Sequence, residues 1–358
     1  MLSLVVSVSQ LAAHPLDNWH VRYNGPGGSA FYYAITYGDG LFIVAGSAGA
    51  ILTSPDAQSW SPRVSGTSRS LLGAAHGNHT FVIVGAGGSI ISSPDGTNWT
   101  SRSSGTTADL SSVIFGGGQF LAAGGNVLLT STDGTTWAPQ NVGGFFTGSS
   151  LVYGNGLFLL PGWPGTNFVS NNGTNWLAKA SGTSNNLYTA GFGNGAFMEI
   201  DIQNQVLTSL DALNWTRQSA VAIVRPSQIT YGSGCFVICG GGSTQYTEDA
   251  VNWKTPASGY LYVGYDAIFA QSTFVIVGGG TKVIQSDPVL IVQAGPGPTL
   301  SIEGRPGQMC FIETADELAP VPEWSPVTNF TLPSSPYIWT DTISSNAPQR
   351  YYRTALGP

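Results

Sequence analysis

The sequence predicts an all-β protein: a seven-bladed β-propeller followed by a small antiparallel β-sandwich. Three observations predict it. A Ser-x-Asp-x-x-x-Trp box recurs with its Trp residues 38 or 39 positions apart. A glycine-rich turn leading into an apolar run recurs between the boxes, and a period of about 40 residues with four short strands is that of a propeller blade. The composition fits short strands joined by tight turns: 48 of 358 residues are Gly and 11% are aromatic. Only 9% are charged, against roughly 25% in ordinary soluble proteins.

The boxes run Ser54–Trp60, Ser93–Trp99, Ser131–Trp137, Ser170–Trp176, Ser209–Trp215 and Thr247–Trp253. Their structural residues are Asp56 and Trp60, Asp95 and Trp99, Asp133 and Trp137, Asn172 and Trp176, Asp211 and Trp215, and Asp249 and Trp253. A Ser and an Asp two positions apart can satisfy backbone N–H groups inside one turn. The following Gly permits a left-handed conformation, and the Trp buries a large apolar area between blades. A catalytic group would occur once, so six copies read as architecture. Arg22, Arg63 and Arg102 each follow a repeat Trp by three residues, which is also an architectural position.

The mid-repeat signal reads Tyr37-Gly-Asp-Gly, Tyr153-Gly-Asn-Gly, Phe192-Gly-Asn-Gly and Tyr231-Gly-Ser-Gly, each followed by apolar residues. Such turns supply the positive φ that tight hairpins need. At the ends of the array the box is split. Gln285-Ser286-Asp287 begins a copy that stops at Pro288, and Asp17-Asn18-Trp19 carries the end of one. The strand after Trp19 is therefore expected to complete the last blade and remove an open sheet edge.

These residues resemble the Asp-box, or BNR-repeat, propellers over about residues 16–288, a superfamily that includes sialidases and photosystem II assembly factors of the Ycf48 type. The motif speaks to fold, and function must be argued from a site. The sialidase resemblance implies an Arg triad, a Tyr nucleophile with a Glu partner and an acid/base Asp. Only Glu199 and Glu248 are glutamates within the array, Glu248 falls inside a box, and no isolated Arg set stands out. The chain is therefore expected to be non-enzymatic, with no catalytic residue, metal site or cofactor. The loops before the innermost strands carry Arg69, Asp109, Asn186, Arg225 and Asp266, a candidate polar ring for a small ligand or glycan.

Net charge is −7 with 12 Lys and Arg, and there is no basic patch, so nucleic acid is not an expected partner. Cys235 and Cys239 would lie roughly 13 Å apart in a strand, too far for a disulfide, and read with Cys310 as small buried residues. Sequons at Asn78, Asn98, Asn172, Asn214 and Asn329 are candidate glycosylation sites.

Residues 1–15 alternate like a strand, with Leu2, Leu4, Val6 and Val8 on one face. They read as a docked strand, a strand donated to a neighbouring subunit or a signal remnant, too short to span a bilayer. Donation would give head-to-tail self-association and filaments. Residues 289–298, ending in Ala294-Gly-Pro-Gly-Pro298, read as a linker. Residues 299–358 then form the sandwich, with strands expected at 300–302, 309–313, 337–340 and 350–356. Its Glu-Gly-x-Pro-Gly turn at 303–307 and its Arg350-Tyr-Tyr-Arg353 are similar to C-terminal modules of secreted proteins from environmental bacteria. The whole is expected to be an extracellular or cell-surface structural or adhesive protein, with glycan or small-ligand binding as the alternative.

Overall fold

The computed structural model describes residues 5–6, 15–25, 31–146, 150–256, 263–287, 291–294, 299–303, 307, 309–315, 325–334, 337–340 and 351–356. Two compact units divide it: Trp19–Ala270 with Phe274–Gln285, and Met1–Asn18 with Gln271–Thr273 and Ser286–Pro358.

The first unit is a seven-bladed β-propeller. Blade 1 is the antiparallel series Tyr32–Gly38, Leu41–Gly46, Ala50–Ser54 and Ser61–Val64. Blades 2 to 5 repeat it, with innermost strands Leu71–Gly77, Ser112–Gly116, Val152–Gly154 and Leu187–Gly193. Blade 6 begins at Pro226–Gly232 and has three strands, with a bridge from Tyr246 to Lys254 in place of the fourth. Blade 7 begins at Gly264–Ala270, and its outermost strand is Trp19–Asn24 from the other end of the chain, beside Lys282–Ser286. First strands of neighbouring blades contact one another around the ring, the last against the first.

Apolar clusters fill the spaces between blades. Ile43, Ala45 and Ile51 of blade 1 meet Leu71, Phe81 and Ile83 of blade 2, and Val275, Val277 and Val283 of blade 7 meet Tyr32, Phe42 and Val44 of blade 1. Each box Trp packs against such a cluster, as Trp99 does between blades 1 and 2.

The box turns are built from their own side chains. Ser93 Oγ donates to Asp95 Oδ1 at 2.9 Å, and that oxygen accepts the amides of Thr97 and Asn98 at 2.8 Å. Trp99 Nε1 closes the turn on the Gly96 carbonyl at 3.2 Å. Asn172 makes the same contacts in blade 4. These bonds hold the Asp95, Asp133, Asp211 and Asp249 carboxyls well below the usual carboxylate range; at Asp95 the Asn98 amide is the largest cause. The split turn is rejoined: Asn18 Nδ2 donates to Asp287 Oδ2 at 3.0 Å, and the Asp287 amide to the Asn18 carbonyl at 3.2 Å. The Arg residues brace outer strands. Arg22 donates to Gln285, Arg63 to Thr53 and Arg102 to Ser92.

The aromatic-Gly signal does more than turn the chain. A Cβ on Gly116 would lie 2.3 Å from the Tyr153 ring of the next blade, and Gly38, Gly77, Gly154, Gly193 and Gly232 face His76, Phe115, Phe192, Tyr231 and Phe269 in the same way. Both central hairpin residues take positive φ, 45° at Asp39 and 78° at Gly40.

The second unit holds two sheets. One is ordered Val5–Val6, Tyr351–Leu356, Met309–Ala315, Ser325–Thr331; the other Ile291–Ala294, Thr299–Glu303, Tyr337–Thr340. Leu300 and Ile302 of the second sheet share an apolar cluster with Cys310 and Ile312 of the first. Two sequence expectations change here. The segment read as a linker contains a strand, because Ile291 and Val292 are β-branched and pair with Glu303 and Ile302; residues 295–298 lie outside the described residues. The strand Ser325–Thr331 was not expected from the sequence, since Pro326 and the polar residues around it mask the pattern. At the N-terminus, Val5 and Val6 run parallel to Tyr351 and Tyr352 of the same chain. Leu2, Leu4 and Val8 of the assembly strand lie outside the described residues. No helix among the described residues is long and apolar enough to cross a membrane.

Candidate functional site

Every blade is up-and-down, so the loops entering innermost strands lie at one end of the propeller with the turns between second and third strands. The boxes lie at the other end. A repeated backbone bond registers this mouth. The amide of Ser47 donates to Phe31, Ala86 to Ser70, Trp163 to Phe145, Ile202 to Asn186, Gly241 to Val224 and Gly279 to Val263.

That register corrects the polar ring expected from the sequence. Asn186 is one of the ring positions. Arg69 lies one residue before its ring position, and its guanidinium is spent on the Ala86 and Gly87 carbonyls at 3.3 and 2.7 Å. Asp109 Oδ1 accepts the Gly87 amide at 2.7 Å, so both brace the same turn. Arg225 follows its ring position and has φ 51°. Asp266 is not in a loop but inside the innermost strand Gly264–Ala270. The five therefore do not form one ring of equivalent positions: Arg69 and Asp109 are committed to the turn at Gly87, and Asp266 lies on an innermost strand.

Exposed apolar side chains stand out on the rim over blades 4 to 7. Phe145 is 55% exposed and Trp163 43%, their ring centroids 5.8 Å apart. Tyr188, Ile202, Val224 and Val263 are exposed as well. At the junction of blades 7 and 1, Phe31, Tyr33 and Tyr265 cluster, with Tyr33 and Tyr265 centroids 5.4 Å apart. Tyr33, like Tyr188, sits where the register between first and second strands shifts. Burial pushes the Tyr33 hydroxyl above its ordinary value, with Tyr265 adding to the shift.

Below the mouth the innermost strands enclose a channel of about 390 Å³. Ser and Thr hydroxyls, small residues, Gln228 and Asp266 line it, and Tyr33 and Tyr265 reach into it. One register position staples neighbouring blades: Ser112 Oγ accepts the Leu151 amide at 3.2 Å, and Ser150 Oγ the Ala190 amide at 3.0 Å. Asp266 holds that position in blade 7. Its Oδ2 accepts the Ile35 amide at 2.9 Å and its Oδ1 the Ala267 amide at 2.8 Å. Burial pushes its carboxyl up to about 7, against the pull of these bonds.

Other clusters offer less. A hollow of about 580 Å³ beside Arg102 and Thr106 is an open surface depression, and Arg102 is already bonded to Ser92. At the box end, His76 and His79 flank the Asp39 carboxylate at 3.1–3.2 Å. No group of three or more His, Cys, Asp or Glu suited to a metal ion occurs among the described residues. Among the sequons, the Asn98 and Asn214 side-chain amides are bonded to Asp95 and Asp211, the Asn78 amide donates to the Thr132 carbonyl, and Asn329 is exposed. The three cysteines are buried and form no disulfide, and burial raises the Cys235 thiol to about 11.

The sequence reading missed Phe31, Tyr33, Phe145, Trp163 and Tyr265. An aromatic at the start of an innermost strand, where the channel wall needs only small residues, is the signal that could have found Phe31, Tyr33 and Tyr265; Phe145 and Trp163 lie in connecting segments outside the strands of blade 4 and carry no such signal.

No protein-family model matches the chain, and no curated protein matches it in sequence. Solved structures match in fold. A structure of Ycf48 bound to D1 peptide aligns with TM-score 0.64 and 16% identity, over 79% of this chain and 100% of that one. A catalytically inactive virginiamycin B lyase from Staphylococcus aureus with quinupristin gives 0.67 and 13%, over 76% and 99%. The WD40 propeller of Doa1 gives 0.57 and 10%, over 75% and 97%. At these identities the likeness is one of fold.

Proposed function

We propose that this protein is a non-enzymatic binding module that docks an extended peptide segment of a partner across the mouth of its propeller. The observation that carries this is the exposed aromatic and aliphatic rim, led by the Phe145–Trp163 pair, over an open channel. Exposed clustered aromatics mark recognition surfaces, since their burial releases water at low entropic cost. The Ycf48 structure with its D1 peptide supports the reading as a propeller that binds a peptide. The box carboxylates are committed to their turns, which supports a non-catalytic role.

An array of short peptides probed with the wild-type chain and with a Phe145→Ser, Trp163→Ser chain tests this. Peptides bound by the first and lost by the second are expected. A wild type that binds none of them, or a variant that binds alike, overturns it, and turnover of chromogenic glycosides would replace it with a hydrolase.

The extracellular, adhesive setting belongs to the same proposal, supported by the low charge and the exposed Asn329 sequon. Intact mass of the native protein, read for glycan, checks it. Head-to-tail assembly would require Val5–Val6 to leave their place beside Tyr351–Tyr352 for another copy. A particle size that is unchanged by deleting residues 1–13 would end that reading.

A further inference from the structure

We propose that the channel beneath the mouth is a binding site for an organic cation, an alkylammonium or guanidinium group held between the Asp266 carboxylate and the Tyr33 and Tyr265 rings. The inference deepens the binding reading above and places a charge preference on it.

The argument begins with the staple. In blades 3 and 4 a Ser hydroxyl suffices to accept the next blade's amide. Blade 7 uses a carboxylate at that position, which adds a desolvated charge the staple does not need. No Lys or Arg lines the channel among the described residues, and Asp266 is its sole carboxylate. The partners of its carboxylate, the Ile35 and Ala267 amides and the Gln228 side chain, are uncharged, and the one histidine on the lining, His76, is engaged with Asp39 at 3.2 Å; burial raises the carboxyl. An arriving cation stabilises the ionised form. Tyr265, next to Asp266 on its own strand, and Tyr33, on the neighbouring innermost strand of blade 1, line the same channel, and aromatic faces attract cations through their quadrupole. One carboxylate among hydroxyls is a poor seat for a divalent metal, which demands several hard oxygen ligands. A cation with an apolar stem fits both the rings and the rim above. The net charge of −7 favours its approach.

Calorimetric titration of the full chain tests this with n-butylammonium and n-butylguanidinium as probes and n-butanol as the neutral isostere. The cations are expected to bind at least tenfold more tightly than the alcohol. Asp266→Asn and Asp266→Ser should each lose at least tenfold, the Ser variant keeping the hydroxyl staple and an unchanged thermal midpoint. A pentapeptide with one central Lys, compared with its norleucine counterpart, separates the sources. Binding of the free amine alone marks a small-molecule site, and tighter binding of the Lys peptide marks a partner's side chain. Equal binding of butanol, no binding of either cation at millimolar concentration, or undiminished binding by Asp266→Ser overturns the inference. The Phe145→Ser, Trp163→Ser chain separates the two readings: it should still take butylammonium while losing rim peptides.

Discussion

Glu199 shows how much one residue's setting decides. It lies fully buried on the strand Ala196–Asp201, with Oε2 accepting Asn167 Nδ2 at 2.9 Å and Oε1 without a partner. Burial lifts its carboxyl from an ordinary value of 4.5 to about 8. The folded state therefore holds a proton that the unfolded state has released between those values, and stability falls as pH rises through that window. Asp266 contributes in the same direction only up to about 7. Denaturant unfolding should show the wild type losing stability between about pH 5 and 8, and Glu199→Gln should flatten that loss, most cleanly between 7 and 8 where Asp266 no longer contributes; an unchanged slope would refute the assignment. Gly116 makes a second residue-scale case. Gly116→Ala should cost about 1–3 kcal/mol by overpacking against Tyr153. A Tyr153→Ala change on that background should recover part of the loss in a double-mutant cycle.

At the scale of the element, the box turn behaves as a closed hydrogen-bonded unit. Asp95 Oδ1 accepts two amides and one hydroxyl. Asp95→Ala should lower the thermal midpoint, because it strands those donors. Asp95→Asn should lower it much less, since Asn172 already serves in blade 4. Four such carboxyls are depressed. Their stabilisation is present above the ordinary carboxylate range and lost as pH falls below it. A pH scan of circular dichroism should therefore find acid unfolding, which an Asp95→Asn chain shows less steeply. The propeller strands share a second element-scale rule: Phe42, Phe81, Phe120, Phe158, Phe197 and Phe274 are fully buried at equivalent places. Phe120→Ala should cost about 3–5 kcal/mol of unfolding free energy.

At the scale of the molecule, closure of the ring depends on Trp19–Asn24 covering Lys282–Ser286. A chain lacking residues 1–24 would leave that strand as an unpaired edge. Hydrogen exchange should then show lost protection over Gly264–Ser286, and size-exclusion chromatography should show association. Equal protection in the two chains would mean that the outermost strand of blade 7 contributes little to closure.

The sequence by itself determined the blade count, the box geometry and the split last blade, because each is written in local spacing. A turn that satisfies its own amides and a strand that alternates every second residue need no distant partner to be recognised. Less of the site was legible. Asp266 was found as a residue but placed in a loop, and Arg69 and Asp109 were read as ligand contacts although both brace the Gly87 turn. The strand Ile291–Ala294 was hidden by the prolines that follow it. Only the tertiary structure decided which side chains share the channel. The Ile35 amide and the Asp266 carboxylate are 231 positions apart, and they meet because the seventh blade closes on the first. That contact is set by the circumference of the ring, which no local pattern encodes.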